Sequence, residues 1–312
     1  MKIHSIFSSS ALAFAMFFAP PVFAQSEEEP SEQTSVASSE TAAETAKPAL
    51  WKIADEDTTI YLFGTIHLLP DTVNWYSGRI KQALDSSGTL VTEIDMTPEK
   101  LAAVGPLMAK LGTLPEGETL RGLMTDEQRA RYESGLEKLG APLNAFDTLE
   151  PWFAAIALTQ VIAQASGFTQ DKGVETVLET KIESNVKRDA LETVESQLAA
   201  FDEMPIDAQL DFLLQGAEDP AAAIEVLNSL VDLWAKGDVE ELSDLMDDSF
   251  KANPILEERL LDNRNENWAE WIDTRLDEPG TVFIAAGALH FAGESSVQTY
   301  LAKRGIETTR LQ

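Results

Sequence analysis

Thr281-Val282-Phe283-Ile284-Ala285-Ala286-Gly287-Ala288-Leu289-His290 is the stretch on which the fold turns. Residues 281–286 form a near-continuous apolar run and read as a strand, with a histidine just beyond its end. Downstream, residues 294–304 have the pattern of a helix, Gly305 is a stop signal, and residues 306–311 read as a further strand, so the C-terminus is a β-α-β unit. Upstream, the same local pattern recurs as Phe63-Gly64-Thr65-Ile66-His67. That copy ends the second arm of an expected hairpin, Leu50–Ala54 and Thr58–Thr65, whose turn is Asp55-Glu56-Asp57. Residues 74–85 suit a helix, and residues 89–94 a buried strand with Glu93 and Asp95 at its exit.

Between residues 97 and 276 the apolar spacing is mostly helical. Capping residues open many segments, as with Thr97 before Pro98, Thr125 before Asp126 and Asp238 before Val239. A short extended piece at residues 190–193 interrupts the block, followed by an amphipathic stretch at 194–201. Strands at both ends with helices between them most simply rejoin in one sheet. The expected fold class is therefore α/β, a central mixed β-sheet flanked by helices, with a large helical insertion at about residues 97–276. The strand order is not legible at this level.

The first residues hold Lys2, an apolar run from Ala11 to Phe18, and Val22-Phe23-Ala24 in the small-x-small pattern of a cleavage site. Residues 1–24 are read as a signal peptide cut after Ala24. The apolar run is too short for a span of ~20 residues and is broken by Pro20 and Pro21. The expected location is the periplasm or the exterior, with no stable membrane anchor after cleavage. Residues 25–48 are rich in Ser, Glu, Thr and Ala and lack aromatic side chains, so they read as a disordered acidic tether. The folded domain is then 49–312.

The formal net charge is −30. No basic cluster exists to displace phosphate counterions, which argues against nucleic-acid binding. The chain has no cysteine, which excludes disulfides, a thiol nucleophile and thiolate-held zinc.

Of three histidines, His4 leaves with the signal peptide. His67 and His290 each stand three residues after a glycine, Gly64 and Gly287, whose missing Cβ permits close approach of backbone or ligand. Ligands of open α/β sheets gather at the carboxyl ends of strands, where both histidines fall if their strands are parallel neighbours. Two imidazoles and a carboxylate would suit a divalent transition metal with open positions for water and substrate. Glu93 is the first choice of carboxylate, as ligand or as base. Asp95 is the second, with helix capping before Thr97-Pro98 an equal explanation. Arg264, in Asn263-Arg264-Asn265, reads either as an oxyanion or carboxylate clamp or as a surface arginine paired with Glu258, Asp262 or Glu266. The serine, phosphate-loop and dinucleotide motifs are absent.

Taken in order, Leu62-Phe63-Gly64-Thr65-Ile66-His67, Val91-Thr92-Glu93-Ile94-Asp95 and Gly287-Ala288-Leu289-His290 with Gly293 resemble the TraB/GumN family, which includes the Tiki proteins. Asp171-Lys172-Gly173-Val174-Glu175, Leu191-Glu192-Thr193-Val194-Glu195 with Gln197 and Phe201, and Arg264-Asn265 with Trp268 extend the resemblance. Glu294-Ser295-Ser296 departs from it, since many relatives place an acid and then glycine after the position of Gly293.

The resemblance implies an erythromycin-esterase-like or ChaN-like core and a metal-dependent protease activity with Mn or Co. It assigns metal ligation to His67, His290 and Glu93, catalytic roles to Glu93 and Arg264, and support to Gly64, Gly287, Asp95, Asp171, Glu192 and Asn265. The expected function is an exported metal-dependent hydrolase, with Mn, Co or Zn and a peptide or small-molecule substrate. The alternative is a non-catalytic periplasmic binding or assembly protein that uses the same pocket.

Overall fold

The computed structural model describes residues 45–312; the expected signal peptide and residues 25–44 of the tether lie outside the described residues. The last tether residues join the body. Ala46 and Lys47 donate their backbone N–H groups to the carbonyls of Asn74 (2.9 Å) and Ala235 (2.7 Å).

Six strands are present among the described residues: β1 (Leu50–Ala54), β2 (Thr58–Thr65), β3 (Thr89–Thr92), β4 (Lys187–Ala190), β5 (Gly280–Gly287) and β6 (Thr309–Arg310). They form one mixed sheet in the order β4-β3-β5-β2-β1-β6. The hairpin β1–β2 is antiparallel and β6 pairs antiparallel with β1, whereas β2, β5, β3 and β4 are mutually parallel. The expected α/β architecture, a mixed sheet flanked by helices, is what forms.

β5 is an interior strand of this order, with β3 on one side and β2 on the other. That placement explains its unbroken apolar run. Val282, Ile284 and Ala286 face one cluster with Trp268, Ile272, Val297 and Leu301, and Phe283 and Ala285 face the other with Phe63, Leu90 and the insertion. A strand buried on both faces cannot alternate with polar residues. The edge strand β4 is the opposite case, a polar Lys-Arg-Asp-Ala sequence exposed over most of its length, which discourages pairing with other chains.

Several elements are shorter than their sequence patterns suggest. β3 stops at Thr92, whose hydroxyl donates to the Ile94 carbonyl (2.7 Å) and turns the chain, so Glu93 sits just past the strand. The first helix begins at Gly78, because Asn74 and Trp75 spend their carbonyls on Ala46 and on a turn to Ser77. The last helix is Val297–Lys303, entered through Gly293 at φ +74°. Ile306 donates back to Leu301 and closes that helix, which leaves Thr309 and Arg310 to pair with β1. The β-α-β unit therefore crosses from β5 past β2 and β1 to the far edge.

β2 and β5 run in register from Thr58↔Gly280 to Thr65↔Gly287. The two strands thus end at the same level, with the Gly-x-x-His motifs offset by one residue. Gly64 carries the turn of His290: a Cβ there would lie 2.9 Å from the Cα of Ala288, the first residue of the one-turn helix Ala288–Phe291. Gly64→Ala should therefore force the strand and this turn apart, at about 1–3 kcal/mol of overpacking. A urea midpoint equal to that of the wild type would contradict this contact.

Candidate functional site

The four parallel strands each deliver a polar side chain at the carboxyl edge: His67 after β2, His290 after β5, Glu93 after β3 and Glu192 after β4. β3 leads on toward β4 at one side of the sheet, and β5 toward β6 at the other. Their exits part between Glu93 and His290, and such a switch point is where α/β sheets open a crevice. One bond closes the gap, from the Gly287 N–H to Glu93 Oε1 (2.7 Å).

Each imidazole is held by its Nδ1. His67 Nδ1 lies 2.8 Å from Glu175 Oε1, and the same oxygen accepts from the Thr65 hydroxyl. Burial alone would raise the Glu175 carboxyl; the His67 ring and the Thr65 hydroxyl outweigh it and hold the carboxyl below its ordinary value. His290 Nδ1 contacts Asn265 Oδ1, and the amide of Asn265 is oriented by its donation to the Ser295 carbonyl (2.6 Å). An oxygen so oriented accepts a hydrogen bond from Nδ1–H, which places the ring's lone pair on Nε2. Burial, and then the charges of Arg264 and His67, push the His290 pKa well below the usual value, so this ring is neutral near pH 7. Its face lies against Trp268, with ring centroids 4.0 Å apart. His290 Nε2 is 3.9 Å from Glu93 Oε1.

Glu93 and Arg264 are both buried. Arg264 donates from Nη2 to Glu93 Oε2 (2.6 Å), from Nε to Glu192 (3.0 Å) and from Nη1 to the Leu260 carbonyl (3.1 Å). That carbonyl belongs to the π-type turn Glu258–Asp262, a wide turn of the kind often found at functional sites. Gln197 adds donations to Glu93 Oε2 (2.7 Å) and Glu192 Oε1 (3.2 Å). Burial pushes the Glu192 carboxyl up, with Arg264 opposing the shift. The surface-pair reading of Arg264 is thus overturned. Nε and Nη2 face the two carboxylates and Nη1 the Leu260 carbonyl, so the guanidinium balances the charge of both acids.

Asp95 and Asp171 stand apart from this cluster. Asp95 accepts from the Thr97 backbone N–H (2.8 Å), which makes a turn just before the helix Pro98–Leu111. Asp171 is exposed and lies 3.3 Å from the Lys172 ammonium. Four residues on, in the first turn of helix Val174–Lys181, Glu175 takes the supporting place that sequence reasoning gave to Asp171. The signal that could have found it is Gly173, because a Cβ there would meet the His67 carbonyl oxygen at 2.0 Å. A glycine required by contact, beside a bond from Val174 N–H to the Ile66 carbonyl (2.9 Å), docks this helix on the histidine loop.

His67, Thr92, Glu93, Glu175 and Gln197 line a cavity of about 20 Å³, room for roughly one water-sized occupant. His290 lies behind this lining and is fully buried. Two buried acceptors in the lining, Glu175 Oε2 and Gln197 Oε1, have no hydrogen-bond partner among the described residues. Unpaired buried acceptors favour a proton donor or a cation. No group of three His, Cys, Asp or Glu side chains among the described residues is arranged to hold one metal ion. Glu93 in particular is turned to Gly287, Arg264 and Gln197.

Arg264→Met should leave two buried carboxylates without a counter-charge and cost about 3–5 kcal/mol of stability near neutral pH. Burial already raises the Glu192 pKa, and without the opposing guanidinium that rise grows. Stability of the variant should therefore be greatest below the ordinary carboxylate range and fall as pH rises through the raised folded value. Urea melts from pH 4 to pH 8 measure this; a deficit that does not change with pH would contradict the charge-balancing role.

The model of the TraB/PrgY/gumN family matches residues 49–310. The uncharacterized protein YbaP of Escherichia coli (strain K12) is 22% identical over 242 residues, covering 77% of this chain and 87% of that protein. An uncharacterized protein of Treponema pallidum (strain Nichols) is 23% identical over 266 residues, covering 81% of this chain and 80% of its own length. No solved structure matches significantly. With a match that spans nearly the whole described body, the chain belongs to the TraB/PrgY/gumN family.

Proposed function

We propose that the protein is an exported metal-dependent hydrolase of peptidase type, with His67 and His290 holding a divalent transition metal (Mn, Co or Zn) and Glu93 beside them. The observation that carries this reading is the matched treatment of the two imidazoles: each has its Nδ1 engaged by an oxygen, from Glu175 or Asn265, at the carboxyl edge of adjacent strands. A carboxylate or amide on Nδ1 fixes the tautomer that offers Nε2, as is usual for metal-ligating histidine. The surplus of acceptors around the water-sized cavity also suits a cation. The donor chemistry therefore fits such an ion, although Glu93 would have to share its Oε1 with the Gly287 N–H.

A bound ion would supply Lewis acidity toward a substrate carbonyl and make a nearby water more acidic. The protein's own groups do the rest. Glu175 orients His67 and increases its basicity, and Asn265 keeps the proton of His290 on Nδ1. Glu93 lines the cavity and can accept a proton from a water held there, with Arg264 balancing its charge. Trp268 and the apolar layer behind His290 exclude bulk solvent, which strengthens these interactions. The signal-peptide pattern at residues 1–24 supports export, and no described helix is long and apolar enough to cross a membrane.

Protein purified without chelators should carry close to one transition-metal ion per chain and cleave members of a peptide library, with chelator removing both properties. His67→Ala and His290→Ala should each lose the metal while keeping the far-UV spectrum of the wild type. Wild-type metal content in both variants would defeat the reading, and tight ligand retention without turnover would favour a binding protein. Glu175→Gln should weaken metal affinity by about 10–100-fold, since only the orientation and basicity of His67 change. Unaltered affinity would show that Glu175 plays no part in the site.

A further inference from the structure

The cavity beside His67 and Glu93, at about 20 Å³, has no room for a substrate side chain. Whatever is cleaved must be held from outside it. An open groove of about 680 Å³ adjoins the cavity and shares Met96, Gln170 and Thr176 with it. One wall is the start of helix Pro98–Leu111, with Pro98 exposed and Leu101 half-buried; the other is helix Val174–Lys181, which brings Thr176 and Thr180. This second helix is the one that carries Glu175 to His67. The groove is thus rigidly tied to the histidine loop. Its size is that of an ordinary ligand pocket.

We propose that this groove is the substrate subsite, and that it receives an uncharged aliphatic or aromatic side chain of an extended peptide, next to the bond presented to His67 and Glu93. As a substrate subsite it rests on the hydrolase reading. Met96, Pro98 and Leu101 offer apolar surface that is otherwise open to water, and covering it with a large side chain is favourable. Polar groups line the same groove: Gln170 at the shared floor and Thr97 and Thr176 beside it suit the amides of a peptide, which an acyl chain would not need. At the rim Arg188 is spent on Glu179 (2.8 Å), and Asp171 is exposed, so an anionic side chain meets no spare cation there. The net charge of −30 opposes anionic segments further.

The test is direct binding, by fluorescence anisotropy, of labelled decapeptides that differ at one central position (Leu, Phe, Ser, Asp or Lys), alongside turnover of the same set by the wild-type protein. Leu and Phe peptides should bind at least about tenfold more tightly than Ser and Asp peptides. Pro98→Glu places an acid in the first turn of a helix, where it is well tolerated, so this variant should fold normally. It should lose that preference and gain affinity for the Lys peptide, a gain that misfolding cannot imitate. Leu101→Asn should weaken Leu and Phe binding without the gain for Lys. Equal binding of all five peptides, an unchanged profile in Pro98→Glu, or tighter binding of a labelled fatty-acyl chain than of the Leu peptide would each overturn the proposal. Apolar-selective binding without turnover would retain the groove as a peptide site and remove the hydrolase reading, whereas turnover without apolar preference would do the reverse.

Discussion

The structure of the site depends on one buried guanidinium set between two buried carboxylates. Arg264 joins Glu93 at the end of β3 to Glu192 at the end of β4, and Glu93 in turn accepts from the backbone at the end of β5. Ions this well covered are costly unless all their partners are present, so the arrangement is held as a unit. The π-type turn, Gln197 and the Trp268 ring, over which the Arg264 guanidinium stands at 4.8 Å, all serve to keep that cation in place. Three strands distant in sequence are thereby locked at one edge.

On the other side of Glu93 the constraint is one of tautomers. Asn265 follows Arg264 on the same helix, Asn263–Leu276, so the residue that balances Glu93 and the residue that orients His290 move together. His67 receives its own orienting group from a different helix, docked through Gly173. The two imidazoles are thus prepared alike by unrelated means. That convergence is hard to explain by packing alone, because an apolar side chain would fill either place without the cost of burying polar partners. Ser295 takes part in this scheme through its backbone carbonyl, which any residue could supply.

Much of this was legible in the chain itself. The apolar run before His290 reads as a strand because an interior strand must be apolar on both faces, and the repeated Gly-x-x-His spacing marks two strand ends at one level. The site carboxylate Glu93 is legible because an acid at the end of an apolar strand needs a partner. The roles of Arg264, Asp171 and Glu175 are not. A helical arginine surrounded by Glu258, Asp262 and Glu266 has the local pattern of a surface pair, and only the fold reveals that Glu93 and Glu192 bury it. Asp171 and Glu175 both open helical turns, and local sequence cannot tell which of them faces the histidine. Composition also does not reveal that Ala46 and Lys47 join the body, since they are held by backbone bonds that do not depend on side-chain type.

In the proposed site two imidazoles share one ion through Nε2, the nitrogen that their Nδ1 partners fix as the acceptor. X-ray absorption at the metal edge, recorded on protein purified without chelators, tests it most directly. The wild-type protein should show a shell containing two imidazole nitrogens at about 2.0–2.2 Å, and His290→Ala should show no bound metal. A shell built of oxygen alone, or a wild-type protein that holds no metal under these conditions, would contradict it.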